Sequence, residues 1–579
     1  MKSTELSKEA LTVAQSRYFM EGEDWHDCAL RCATVISAPE VDKKYRDQFF
    51  EMIFNREFLP GGRILRNCGR PRGSLFNCFH LPIGDSIEEI GQYIKDSLTL
   101  WSEGGGVGCN FSSLRPKGDR IMGKGGESSG LVSFIEASNA VSHTIESGGS
   151  RRAAAIAHVD VSHPEVVDFI DAKLVEGRLD HVNISVAINE EFLNRVEEDG
   201  AWAFKFKQKS YGSMPARQIW DKIIHNMIDW AEPGLLNWDK FTKNNSYYFA
   251  PVLGTNPCGE TTLEPHGVCN LGSLVLPNFI TNVNTNWKRL EQVIELGVRF
   301  LDNVTDVNKY VLKENDIAAH NSRRIGIGVM GVADYLFAKK LRYGSEKAVQ
   351  EIERLMRFIR DKVYEASIKL SAEKGSFPKF EPVPYGKASF IRKLPASMRM
   401  DIKKYGIRNC TTMAMAPTGT ISLIADTTSG VEPLFSRAYL RSDRVGERIY
   451  VHPQFKKFIE NAEKEGTDVE IPDWFVDTTD LTPEDHLEVQ VAIQKYVDGS
   501  VSKTINVPHE TTPEDLSKIL LEYIYDLKGC TVYRDGSRTG QILTKLDPEE
   551  VANILKEDSE VSNHMVAEDV SCASGTCEL

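Results

Sequence analysis

A chain of 579 residues is long enough for several domains or for one large α/β unit with appendages. Its 41% apolar and 26% charged content is that of a soluble globular chain, and a net charge of −14 argues against a broad nucleic-acid-binding surface while leaving room for local basic pockets. No apolar run approaches the ~20 residues needed to cross a bilayer. Met1-Lys-Ser-Thr-Glu-Leu-Ser-Lys-Glu lacks the apolar core of a signal peptide, so a cytoplasmic protein is expected, with neither membrane nor nucleic acid as partner. The 11 cysteines are too few for a disulfide scaffold, and no pair of Cys-x-x-Cys units marks a zinc site. No metal is expected, and catalytic thiol chemistry is the expectation for a few of them.

Residues 1–57 read as helices, with Phe49, Phe50, Ile53 and Phe54 forming an apolar edge. Gly73 to Pro82 reads as a short buried strand with Asn77 and Cys78 in its middle. Gly84-Asp85-Ser86-Ile87 opens a helix running to about Trp101, with Asp85 or Ser86 as cap. It ends at Gly104-Gly-Gly106-Val-Gly108. Four glycines in five positions suggest a backbone passing close to something such as a bound sugar or phosphate, or a flexible turn. Leu114 to Gly126 is Gly-rich and carries Arg115, Lys117, Arg120 and Lys124, fit for an anion or for plain solvation. A helix follows to about Glu146, then the basic loop Ser147-Gly-Gly-Ser150-Arg151-Arg152-Ala153. Val159 to Glu165 enters a helix with Pro164 in its first turn.

From there strands and helices alternate: strand Asn183–Ile188, helix Ala216–Trp230, helix Lys288–Val307, strand Arg323–Val329 and helix Glu346–Glu373. Such spacing predicts βαβ-type units around a largely parallel sheet or barrel. Between two of these helices lies Gly254-Thr-Asn-Pro-Cys-Gly-Glu260, and Cys269 follows in Pro265-His-Gly-Val-Cys-Asn-Leu-Gly-Ser273. Asn256, Cys258 and Glu260 alternate, so on an extended backbone all three side chains share one face. An amide, a thiol and a carboxylate there suit a reaction centre as well as an ordinary loop. Asn409 to Ala416 reads as a strand, and Pro417-Thr418-Gly419-Thr420-Ile421-Ser422 turns directly into a helix. Backbone N–H groups and hydroxyls at such a turn can hold a phosphate or simply cap. Thr482-Pro-Glu-Asp485 and Thr512-Pro-Glu-Asp515 cap two further helices, leading to β segments at 502–506 and 529–534. Beyond Lys545 the chain is acidic and without aromatics, and it ends with Cys572-Ala-Ser-Gly-Thr-Cys577-Glu-Leu579.

Together these motifs resemble the catalytic subunit of ribonucleotide reductases, from about residue 20 to 540. Asn256-Pro-Cys258-Gly-Glu260 matches the family's Asn-x-Cys-x-Glu finger loop, Cys78 and Cys269 its redox pair, and Pro417-Thr-Gly-Thr-Ile421 its substrate-phosphate loop. The resemblance implies a ten-stranded α/β barrel of two parallel five-stranded halves around the finger loop. It implies Cys258 as thiyl radical, Glu260 as base for the 3′-hydroxyl, Asn256 as ribose ligand, Cys78 and Cys269 as the reducing dithiol, and Cys572 and Cys577 as its recharging pair. Asn77, Gly106 and residues 417–422 would bind substrate. Asp85, Ser86, Ile87 and Arg115 would bind a dNTP effector, in dimeric members at the subunit interface, and Ser150, Arg151 and Arg152 would link effector to substrate. A thioredoxin- or glutaredoxin-like protein would supply electrons.

The only adjacent tyrosines are Tyr247-Tyr248, before the finger loop. The late segment Lys528-Gly-Cys-Thr-Val-Tyr533-Arg-Asp-Gly-Ser-Arg538 is similar to that of the adenosylcobalamin-dependent class, so adenosylcobalamin is the expected cofactor. With no room for an overall-activity domain before residue 20, specificity regulation without dATP shut-off is expected. The competing readings are the large subunit of an oxygen-dependent reductase and a nucleotide-binding redox regulator. The expected organisation is a helical region 1–57, a barrel 58–544 and a redox tail 545–579.

Overall fold

A computed structural model describes residues 5–121, 123, 125–147, 151–175, 177–443, 446–534, 537 and 543–546. Helices Lys8–Arg17, Trp25–Ile36 and Lys44–Phe54 come first. The second begins at Asp24, whose carboxylate accepts the Asp27 N–H at 2.9 Å, and it buries Trp25, Cys28, Ala29, Cys32, Ala33 and Ile36 along one stripe.

Strands β1 (Cys78–His80), β2 (Gly106–Asn110), β3 (Ala154–Asp160), β4 (Asn183–Ile188) and β5 (Gly234–Asn237) run parallel, each paired with the next. The chain then makes a small hairpin, β6 (Gly254–Thr255) with β7 (Thr262–Leu263). A second parallel set follows: β8 (Val268–Val275) beside β9 (Ile325–Met330), and β10 (Thr504–Val507) beside β11 (Gly529–Arg534). Antiparallel pairing of β5 with β11 and of β1 with β8 joins the two sets. The extended residues 411–416 fill the place between β9 and β10, through parallel bridges Ile327–Met413 and Met415–Val501. Met415 N–H donates to Ser500 O at 3.1 Å and Ser502 N–H to Met415 O at 2.9 Å. With that segment the ring of strands closes as a ten-stranded α/β barrel, and the short strand Phe58–Pro60 pairs outside it on β8.

Strands Asn183–Ile188 and Gly529–Arg534 and the helix from Ile87 lie where the sequence places them. Two inner strands are less plain in the sequence. β2 is the glycine run and β3 is Ala-Ala-Ile-Ala-His-Val-Asp, neither of which alternates, because both faces are buried. The helix after β3 starts at Val166 with Glu165 as its N-cap, so Pro164 precedes it rather than opening it.

The glycines of β2 make room for protein, not only for a ligand. A Cβ on Gly108 would lie 1.8 Å from Thr255 O, on β6 of the hairpin, and one on Gly105 would lie 2.6 Å from the Phe79 ring. The hairpin is therefore laid across β2 at Gly108, where no side chain intervenes. Gly108→Ala is expected to push it away, costing about 3 kcal/mol or more because the obstacle is backbone. A lower Tm together with lost turnover would show this; a variant with wild-type values of both would refute it.

Candidate active site

The tip of the β6–β7 hairpin carries Asn256, Cys258 and Glu260. It is a turn rather than the extended stretch the alternation suggests: Gly259 sits at φ +78° and its N–H donates to Asn256 O at 3.0 Å. Pro257 stiffens it. The Asn256 side chain ties the tip together, its oxygen accepting from Thr261 N at 3.1 Å and Thr261 Oγ1 at 2.9 Å. Its Nδ2 donates to Glu260 Oε2 at 2.8 Å. The turn thus lays the amide onto the carboxylate instead of leaving the two side by side.

The other carboxylate oxygen, Glu260 Oε1, accepts from Cys78 Sγ at 3.5 Å. Cys78 on β1 is the cross-strand partner of Cys269 on β8. Cys78, Cys258 and Cys269 pack in one buried cluster with Leu271, Ala414 and Ala416. The structure therefore brings together, from three separate stretches, all five residues expected at the centre.

Burial sets the protonation states. Glu260 is pushed up to about 7, its desolvation outweighing the bonds from Asn256 and Cys78. The Cys78 thiol is raised well above its ordinary value by burial and then by the Glu260 charge. Cys269 is raised by burial too, but the nearby Arg324 guanidinium opposes the shift. A carboxyl titrating near neutrality, dry and fixed by an amide, can exchange a proton with a bound alcohol.

Asn77, next to Cys78, is buried with its Oδ1 unpartnered among the described residues and lying close to Gly61, where an added Cβ would come within 2.8 Å of it. Gly106 pairs with Cys78 and donates its N–H to Asn77 O at 2.8 Å. In the 417–422 turn, Thr418 lies at φ +58° and its Oγ1 accepts the Gly430 N–H at 2.7 Å. Ser422 Oγ donates to Gly419 O at 3.0 Å. Those hydroxyls are partly committed internally, so the N–H groups opening helix Gly419–Ile424, with Thr420 and Ile421, are what a phosphate would meet. Pro417 leads into this turn from the extended segment at 411–416.

Away from this centre, Asp85 Oδ1 accepts from Arg115 N and Nε, each at 3.0 Å. Ser86 caps the helix from Ile87, whose side chain is 63% exposed. Arg151 and Arg152 form a two-residue strand paired with Glu146–Ser147. Ser150, Cys572 and Cys577 lie outside the described residues.

Sequence reasoning missed two buried features beside the hairpin. His80 and His158 face Gly254, whose Cβ would lie 2.3 Å from one ring and 2.7 Å from the other; burial drives both imidazoles down to about 3, so they are neutral. His80 follows Cys78 by two on the same strand, which was a usable signal. Arg324 binds Glu264 at 2.6 Å in the barrel interior, a pairing with no local trace.

The tip also borders a small cleft, where Pro257, Cys258 and Gly259 meet Ser185, Cys530 and Thr531. The charged groups on its wall are already paired, Lys503 with Glu432 and Glu232 with Lys173. Such a cleft gives a neutral group, rather than a charged one, an approach to Cys258.

A barrel that holds a thiol-bearing hairpin against two cross-strand cysteines is the fold and site of a reductase. The family profile "Ribonucleotide reductase, barrel domain" matches residues 76–533, and "Ribonucleotide reductase, all-alpha domain" matches residues 4–73. The chain belongs to the ribonucleotide reductase family. It is 35% identical over 614 residues to a vitamin B12-dependent ribonucleoside-diphosphate reductase of Mycobacterium tuberculosis (strain CDC 1551 / Oshkosh), covering 99% of this chain and 84% of that one. It is 34% identical to the protein of that name from Thermoplasma acidophilum, covering 92% and 72%. A ribonucleoside-diphosphate reductase subunit alpha of Chlamydia muridarum is 26% identical, covering 88% and 56%.

Proposed function

We propose that the chain reduces ribonucleotides to 2′-deoxyribonucleotides through a thiyl radical at Cys258, with adenosylcobalamin as cofactor. The observation that carries this is the hairpin holding Cys258, Glu260 and Asn256 against the Cys78–Cys269 pair. The relatives at 34–35% identity are named vitamin B12-dependent. That favours the cobalamin class over the oxygen-dependent one. The cleft bordering Cys258, with Ser185 and Thr531 on its wall and its charged groups already paired, is where the neutral nucleoside part of that cofactor would approach. When bound, adenosylcobalamin supplies the hydrogen-abstracting radical that a protein side chain cannot generate.

Cys258 then takes the 3′ hydrogen, and Glu260 accepts the 3′-hydroxyl proton while Asn256 fixes the carboxylate and the ribose. Cys78 and Cys269 deliver two electrons and two protons: the 2′-hydroxyl leaves as water and the dithiol becomes a disulfide, after which Cys258 returns the hydrogen to the 3′ carbon and Glu260 the proton to the 3′ oxygen. Asn77, Gly106 and the 417–422 turn hold the substrate, a diphosphate by the names of the relatives. Asp85, Ser86, Ile87 and Arg115 bind a dNTP effector where two copies meet, and Ser150 to Arg152 carry its effect to the substrate.

Helical region 1–57, barrel 58–544 and tail 545–579 remain the working division. Among the described residues no helix is long and apolar enough to cross a membrane, and a cytoplasmic setting agrees with nine free buried cysteines.

The test is the purified chain with adenosylcobalamin, a small dithiol, and CDP or CTP. Deoxynucleotide formation is expected; reduction only after adding a metal-bearing subunit would overturn the cofactor assignment. For the tail, Cys572→Ser with Cys577→Ser is expected to abolish turnover driven by a thioredoxin-like protein while sparing turnover driven by the small dithiol. Equal losses with both reductants would refute the relay.

A further inference from the structure

The two sulfurs of the Cys78–Cys269 pair lie in different electrostatic surroundings: burial and Glu260 raise both thiols, and Arg324 opposes the rise at Cys269. Cys78 Sγ sits 3.5 Å from a Glu260 carboxylate oxygen. Cys269 Sγ faces β9, where a Cβ on Gly326 would lie 3.2 Å from it. Arg324, two residues before Gly326, shares that face of the strand. The Arg324 guanidinium is buried and donates to Thr262 O at 2.6 Å, Thr411 Oγ1 at 3.2 Å and Glu264 Oε2 at 2.6 Å. Its Nε, also buried, has no hydrogen-bond partner among the described residues.

Resting on the redox-pair reading above, we propose that Arg324 makes Cys269 the leaving sulfur when the Cys78–Cys269 disulfide is re-reduced, so that an incoming thiolate attacks Cys78. In that step the thiolate forms a new S–S bond to Cys78 Sγ. The Cys78–Cys269 bond breaks, and its electron pair stays on Cys269 as a thiolate beside the cation. The second thiol of the reductant then attacks the mixed disulfide and frees Cys78, which takes a proton, and two electrons have passed from dithiol to enzyme. Exchange runs faster when the departing sulfur is the better-stabilised anion. A buried guanidinium supplies that stabilisation at Cys269, whereas a carboxylate opposes it at Cys78. The fixed direction also leaves Cys78, the thiol touching Glu260, as the last sulfur freed. The Glu264 carboxylate offsets part of the cation's field, and the buried Cys410 thiol shares what remains.

The experiment uses the full chain, oxidised by one round of substrate reduction without reductant. Brief exposure to 2-mercaptoethanol, acid quench, alkylation and peptide mass spectrometry then locate the mixed disulfide. The adduct is expected on Cys78, with Cys269 alkylated, in about tenfold excess or more over the reverse. An even split, or an excess on Cys269, would overturn the proposal. Arg324→Gln combined with Glu264→Gln, which leaves no lone buried charge, is expected to bring the ratio near one, while Arg324→Lys keeps the bias. A persistent tenfold bias in the double variant would overturn the role of Arg324, and the wild-type ratio decides the direction even where a variant fails to fold. Absence of any Cys78–Cys269 disulfide after the single round would instead refute the reading on which this rests.

Discussion

Glu260→Gln is expected to lower kcat about 10²- to 10⁴-fold, the usual contribution of a positioned general base, and to make the folded chain more stable above pH 7. Both effects have one cause. Burial raises this carboxyl from 4.5 to about 7, so between those values the unfolded chain has released its proton while the native chain retains it. Native stability therefore falls as pH rises through that window, by roughly 3 kcal/mol in all. Glutamine has no proton to lose, yet its carbonyl can still accept from Asn256 Nδ2. Wild type and variant should unfold at similar temperatures near pH 4.5, with the variant higher by pH 8. Wild-type kcat should rise with pH up to about 7 and then level off. Full turnover in the variant would refute the base assignment, and a constant Tm difference between pH 4.5 and 8 would refute the buried ionisation.

Cys258→Ser should show no turnover at all while nucleotides still bind. Serine fills nearly the same volume at the tip, but an alcohol O–H is far harder to cleave homolytically than a thiol S–H, so no radical carrier remains. The Cys78–Cys269 disulfide should also fail to appear on adding substrate, since its formation depends on the 3′ hydrogen having been removed. Binding by calorimetry and thiol counting after substrate addition read the two halves of this prediction. A nucleotide-binding redox regulator would keep its function in this variant; measurable deoxynucleotide formation would end the radical assignment.

What the sequence disclosed and what it hid follow from the range of the interactions. Asn256, Cys258 and Glu260 lie within five residues, and Thr482 and Thr512 cap helices through bonds three residues long, so each is written locally. The meeting of the hairpin with Cys78 and Cys269 came through family resemblance and not from spacing. Arg324 with Glu264, and His80 with His158, are buried polar pairs separated by dozens of residues. Apart from His80, which follows Cys78 by two, nothing in their own neighbourhoods distinguishes them from surface side chains. Strands β2 and β3 escaped because their residues were chosen for smallness, to admit the hairpin, and smallness mimics a loop. The closing segment 411–416 reads as a strand, yet among the described residues it makes two bridges before the chain bends into the 417–422 turn.

Cys78 and Cys269 lie on either side of the seam where the two five-stranded halves meet antiparallel. A disulfide between them is thus a stitch between the halves, closing a loop of well over 100 residues, worth about 5 kcal/mol in the chain-entropy account. Each round of catalysis would fasten the barrel and each recharging unfasten it, so the spent enzyme should be the tougher molecule, outlasting its reduced form under heat or protease.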